Sequence, residues 1–123
     1  QVWQMISTIT GTIKPGKDLL DVLLGAFPMG SMTGAPKISA MQIIEELETT
    51  KRGLYSGAFG YITPDQDCDF NVVIRSIQYN AAQRYLSFMV GSAITYDSDP
   101  EREYEECLLK AQAMMKVLMN NQD

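Results

Sequence analysis

The sequence predicts an α+β chain, and two observations carry that prediction. Apolar residues recur at helical spacing in two stretches, Ala40, Ile43, Ile44 and Leu47 in the first and Tyr104, Cys107, Leu108, Ala111, Met115 and Leu118 in the second. Between them, Leu54 to Thr63, Asp69 to Tyr79 and Tyr85 to Tyr96 read as three consecutive strands joined by short turns, most economically an antiparallel meander. With 123 residues there is room for one core and too little for two comfortable domains.

Taken in order, Val2 to Ile13 is rich in β-branched residues and alternates Ile6, Thr8, Thr10 and Thr12 against Ser7, Ile9, Gly11 and Ile13, the pattern of a strand that Lys14-Pro15-Gly16 ends. A short helix is expected from about Asp18 to Ala26 on Leu19, Val22, Leu23 and Ala26, closed by Gly25 and Pro28. The second helix should run from Pro36 to about Glu48. Gly57 and Gly60, with Gly53 just before, interleave with Tyr55, Phe59 and Tyr61 in the first strand of the meander, a sign of a bulge or of close approach by another backbone or a ligand. Asp97-Ser98-Asp99-Pro100 is a strong helix start, and the helix should continue to about Met119 and dock its apolar stripe on the sheet.

Composition removes several function classes. The hydrophobic content of 46% and mean hydropathy of −0.10 are those of a soluble globular protein. No apolar run approaches the roughly 18–20 residues of a membrane span, and no signal peptide is recognisable from Gln1 onward, so a cytoplasmic setting is the default expectation. A start at Gln1 rather than Met suggests truncation or processing. Net charge is −5, and the ten Lys and Arg are dispersed, which argues against a nucleic-acid surface. There is no histidine, so acid–base chemistry in this segment must use carboxylates, Lys or Tyr. Cys68 and Cys107 lack metal-ligand spacing and read as reduced packing residues, with a disulfide as the other possibility.

Three groups of residues invite chemistry. Proline favours the first helical position, so a helix starting at Pro36 puts its cap on Ala35, which has no side-chain oxygen. The amides of Lys37, Ile38 and Ser39 then need an outside acceptor. An anionic ligand would serve, since Gly30 and Gly34 let it approach; a cap by Thr33 one turn earlier, completed by water, is the plainer reading. Glu103, Glu106 and Lys110 fall on one side of the last helix. Spacing alone favours a solvated face with a Glu106–Lys110 pair, although two carboxylates one turn apart also suit magnesium. Arg75 sits in an otherwise apolar strand beside Val73 and Ile77, where it needs a carboxylate partner, either a ligand's or an internal one from Asp69 or a helix glutamate.

The string Gly30-Ser31-Met32-Thr33-Gly34-Ala35-Pro36-Lys37, with Ala40-Met41 and Glu45 to Glu48 after it, resembles the signature of the chorismate-utilising enzymes, among them the large subunits of anthranilate synthase and aminodeoxychorismate synthase. The resemblance continues in family order through Arg52-Gly53-Leu54-Tyr55-Ser56-Gly57, Ile74-Arg75-Ser76, Val90-Gly91-Ser92-Ala93-Ile94 and Asp97 to Lys110. It implies an α+β fold in which a large antiparallel β-sandwich is flanked by helices, as in anthranilate synthase component I, with residues 1–123 as the C-terminal portion of a single chorismate-binding domain. It also implies Mg²⁺ as cofactor, Glu106 as a direct metal ligand, Glu103 as a carboxylate reaching the ion largely through water, and Lys110 as the lysine of the same motif. Tyr55 and Arg75 match the residues that hold the enolpyruvyl carboxylate, and amides of the Gly91-Ser92-Ala93 turn serve the same anion. Here Ala93 stands where the family more commonly has a second glycine, and the resemblance implies that it would narrow that pocket. The loop of Thr33, Gly34 and Ala35 would help magnesium take the ring carboxylate. Catalytic residues of the family are expected upstream of this segment.

Among the branches, Asp69-Phe70-Asn71-Val72-Val73-Ile74-Arg75 and Gly91-Ser92-Ala93-Ile94-Thr95 look more like aminodeoxychorismate synthase component I, which aminates chorismate on the path to para-aminobenzoate and folate. The partners implied are chorismate and a glutamine amidotransferase subunit supplying ammonia, with no nucleic acid and no membrane. Anthranilate synthase component I, in tryptophan biosynthesis, is the alternative branch. A noncatalytic anion-binding or interaction module is the alternative of another class.

Overall fold

A computed structural model of the chain describes residues 5–120. Helix α1 spans Leu19–Ala26 and opens on a capping box: the Asp18 carboxylate accepts from the Asp21 amide at 3.0 Å while the Asp21 carboxylate accepts from the Asp18 amide at 3.2 Å. Asp18 is therefore the cap and Leu19 the first helical residue. A one-turn 3₁₀ helix follows at Gly30–Met32, and helix α2 spans Lys37–Leu47. Its cap is Pro36, whose backbone is extended (φ −68°, ψ 137°), so the helix starts one residue later than the proline rule placed it.

The strand expected over Val2 to Ile13 does not form in the described residues. Residues 5–13 carry no regular secondary structure, and residues 2–4 lie outside the described part of the chain. A β-branched run becomes a strand only when a neighbour takes up its amides and carbonyls, and no described strand pairs with it.

The meander is also corrected. Strands β1 (Ala58–Ile62) and β2 (Cys68–Val72) form one antiparallel hairpin, with Gly60 opposite Phe70; β3 (Ile77–Asn80) and β4 (Tyr85–Phe88) form a second, separate one. The expected strand from Asp69 to Tyr79 breaks at Arg75, which takes a left-handed conformation with φ +51°. A left-handed residue cannot continue the pleat, so β2 and β3 part company there. The Ser76 hydroxyl, donating to the Ile74 carbonyl at 2.9 Å, supports the kink. The strand expected from Tyr85 to Tyr96 ends at Phe88 and continues as loop.

Helix α3 spans Pro100–Met119, capped by the Asp99 carboxylate on the amides of Glu101 (3.0 Å) and Arg102 (3.3 Å), with Pro100 in the first turn as expected. Its orientation is not the expected one. The half-buried stripe is Glu103, Cys107, Lys110, Ala111, Met114 and Leu118. Tyr104, Leu108 and Met115 are 64%, 49% and 46% exposed, so the docking of the whole apolar stripe on a sheet is corrected. Both cysteines are free; Cys107 is half-buried, whereas Cys68 is exposed.

Among the described residues no hydrophobic side chain is fully buried, and Ser56, at 7% exposure, is the one buried residue. The accessible surface is 11287 Å², against about 6,600 Å² for a compact monomer of 13.7 kDa. No described helix is long and apolar enough to cross a membrane.

Candidate functional site

The half-buried face of α3 builds the site. Lys110 donates to the Gly91 carbonyl at 3.0 Å across 19 positions and pairs with the Glu106 carboxylate at 2.6 Å. One turn earlier, the Ser92 hydroxyl donates to a Glu103 carboxylate oxygen. The loop at Gly91 and Ser92 is thereby fastened to the helix at two points. Tyr55 closes the third side: a Cβ on Gly91 would lie 2.8 Å from its hydroxyl oxygen, closer than real Cβ contacts come, so a side chain there would make the end of Tyr55 shift. Tyr55, Gly91, Glu103, Glu106 and Lys110, five of the residues singled out in the sequence, thus come together from three separate segments.

The electrostatics fit the geometry. Hydrogen bonding and charge from Lys110 hold the Glu106 carboxyl below its ordinary value, with a smaller contribution from the Ser92 hydroxyl. Burial pushes the Tyr55 phenol up, and it stays protonated as a hydrogen-bond donor at neutral pH. Among the described residues no three His, Cys, Asp or Glu side chains gather at a metal site. The chain offers a pair, Glu103 and Glu106, and magnesium takes one or two carboxylates and fills its shell with water and ligand oxygens.

The second cluster lies at the start of α2. The Thr33 hydroxyl donates back to the Met29 carbonyl at 3.0 Å and so does not cap α2, which removes the plainer reading of that loop. The Pro36 cap makes no side-chain hydrogen bond, and no described acceptor outside the helix meets the amides of Lys37, Ile38 and Ser39. Gly34 has φ +148°, and a Cβ there would come 2.9 Å from the Ala40 side chain, so the loop lies tight on the helix. Ala35 is exposed beside it.

Arg75 and Ala93 are not drawn into either cluster. Arg75 is exposed in the break between β2 and β3 and makes no side-chain hydrogen bond or ion pair with a described residue. Its placement inside an apolar strand is corrected, and so is the internal salt bridge to Asp69 or a helix glutamate. A guanidinium left without a protein partner is available to a ligand carboxylate. Ala93 is exposed one residue past the fastened part of its loop.

Two polar residues with clear roles were missed as site residues. The sequence assigns Ser92 only its backbone amide, although a serine hydroxyl beside a glycine, next to a helix with two glutamates, is a donor in reach of a carboxylate. Arg52 lay inside a recognised motif without a role. It donates to both oxygens of Glu48, to the Met32 carbonyl at 2.7 Å and to the Ser56 hydroxyl at 3.3 Å.

A lysine-paired glutamate, a second carboxylate one turn away, a protonated tyrosine and a glycine loop meet here on an α+β frame. The chain belongs to the chorismate binding enzyme family, whose family model matches residues 1–116. Over 117 residues it is 44% identical to anthranilate synthase component 1 of Thermus thermophilus, covering 95% of this chain and 25% of that protein. Over the same length it is 41% identical to aminodeoxychorismate synthase component 1 of Bacillus subtilis, covering 95% and 24%. It is 45% identical to anthranilate synthase component 1 of Methanothermobacter thermautotrophicus, covering 95% and 25%. The chain thus spans about a quarter of the length of these curated relatives.

Proposed function

We propose that this chain forms part of the chorismate site of an enzyme that aminates chorismate to 4-amino-4-deoxychorismate. The observation that carries the reading is the convergence of Tyr55, Gly91 and the Glu103–Glu106–Lys110 face of α3. Glu103 and Glu106 would hold a magnesium ion, and the Glu106 carboxyl, which hydrogen bonding from Lys110 holds below its ordinary value, would meet it ionised at neutral pH. Bound there, the ion supplies charge stabilisation as a nucleophile adds and the C4 hydroxyl departs. The amides around Thr33, Gly34 and Ala35 would bind the ring carboxylate, and Tyr55 with Arg75 the enolpyruvyl carboxylate. Two anchored carboxylates fix the ring in one orientation, which is where positioning lowers the barrier.

Anthranilate formation is the second reading. Relatives bearing each of the two names match over 117 residues at similar identity, 44% and 41%. The strand and turn segments Asp69 to Arg75 and Gly91 to Thr95 favour amination without loss of the side chain. In that reading a glutamine amidotransferase subunit supplies the ammonia. The test is to give the full-length protein chorismate, magnesium and ammonia and to identify the product by mass and chromatography. Aminodeoxychorismate is expected; anthranilate with pyruvate moves the protein to the second reading, and unconsumed chorismate refutes both in favour of a noncatalytic module.

A further inference from the structure

We propose that Arg52 is a positioning residue that braces the Thr33–Ala35 loop against the turn carrying Tyr55. Its guanidinium uses its whole fork. Nε and Nη2 grip the Glu48 carboxylate at the end of α2, and Nη1 is left to reach the Met32 carbonyl at 2.7 Å and the Ser56 hydroxyl at 3.3 Å. The bond to Met32 joins residues 20 positions apart and ends on the residue next to Thr33. On the other side, the Tyr55 amide donates to the Arg52 carbonyl at 3.0 Å, so backbone and side chain of one residue link the two clusters.

The far side of the brace is rigid. Ser56 is the buried residue of this segment and is held at φ +69°. Its amide donates to the Val73 carbonyl at 3.0 Å, and the Val73 amide returns to the Gly57 carbonyl at 2.9 Å, extending the β1–β2 hairpin toward Tyr55. A left-handed serine persists only where its surroundings over-determine it. Against that fixed turn, Arg52 has a short reach to the loop, and lysine, with a single ammonium, cannot hold Glu48, Met32 and Ser56 together. Hydrogen bonding from Arg52 keeps the Glu48 carboxyl below its ordinary value, so the grip persists through neutral pH.

The inference rests on the proposed function only for the identity of the anion that the loop faces, and the test separates the two. Arg52→Met and Arg52→Lys are made in the full-length protein, and hydrogen–deuterium exchange is followed without ligand. The Met32 and Thr33 amides, which donate to Met29 and Gly30, are the reporters. Arg52→Met should speed exchange over residues 30–35 by roughly tenfold or more, as loss of a charge-assisted hydrogen bond does, with α3 and the Gly91 loop unchanged. Arg52→Lys should fall between. The chorismate KM should rise by a similar factor with kcat little altered. Unchanged exchange over residues 30–35, or acceleration spread evenly over the chain, overturns the brace. A wild-type protein that ignores chorismate refutes the proposed function, and the exchange result then decides the brace alone.

Discussion

Gly91→Ala tests the site at its tightest point. The added Cβ would lie 2.8 Å from the Tyr55 hydroxyl oxygen but 3.9 Å from the ring carbon that bears it. The clash is therefore with one atom. The end of Tyr55 must swing away, and because only the tip of one side chain has to move the cost should sit at the low end of overpacking, about 1 kcal/mol. In a Tyr55→Phe background that oxygen is gone and 3.9 Å is ordinary contact, so the same alanine should cost less than about 0.5 kcal/mol, the scatter of independent sites. The assay is a double-mutant cycle in the full-length protein, read by equilibrium unfolding and by the chorismate KM. Equal costs in both backgrounds would show that Gly91 and Tyr55 do not meet as described.

Glu106→Gln should abolish magnesium-dependent turnover in the full-length protein while leaving the fold intact, because the residue is exposed; near wild-type activity at limiting magnesium refutes the assignment. Its titration gives a second reading: the folded pKa lies below the ordinary 4.5, so the contact with Lys110 is fully present above that value and is lost as pH falls through the lowered one. An NMR titration should show Lys110→Met returning Glu106 toward 4.5. Arg75→Lys should raise the chorismate KM by the equivalent of roughly 1–3 kcal/mol, since lysine lacks the planar fork. The melting temperature should hold, because Arg75 has no described partner; a fall in melting temperature with an unchanged KM would show that the arginine serves the fold instead.

Helices were the legible part of the fold, because their signals are local. Asp18 and Asp99 cap, and Pro100 opens α3, from chemistry contained within four residues. The strands were less legible because alternation records which residues would suit a sheet and not where the sheet stops. Phe70, Val72 and Ile74 share one face while Ile77 and Tyr79 fall on the other, a change of phase across Arg75 that a single-strand reading passes over and that the left-handed backbone there explains. Nothing in an arginine's chemistry announces φ +51°. The site shows the same divide. The Glu106–Lys110 pair is an i, i+4 contact and follows from helix geometry, whereas the meeting of Tyr55 with Gly91 and of Ser92 with Glu103 depends on how loops return to the helix.

Helix α3 mixes polar and apolar residues on its half-buried side, where Glu103 and Lys110 stand among Cys107, Ala111, Met114 and Leu118. Over its first three turns Glu103 and Lys110 face the Gly91 loop, while Tyr104, Leu108 and Leu109 face solvent. Burying polar groups and exposing apolar ones is unfavourable unless the polar side walls a site and the apolar side meets another body. Leu20, Ile43, Leu47, Phe59 and Tyr61 add to that exposed apolar surface from other elements. Residues 1–123 by themselves should therefore associate, and sedimentation velocity should show species heavier than the 13.7 kDa chain growing with concentration. Leu108→Ser with Met115→Ser removes two of the exposed apolar side chains without touching the Glu103–Lys110 face, so it should shift the distribution toward monomer. A wild-type segment that sediments as a monomer and unfolds cooperatively would show that the apolar face of α3 needs no cover, and the account of the helix as the wall of a larger site would fall with it.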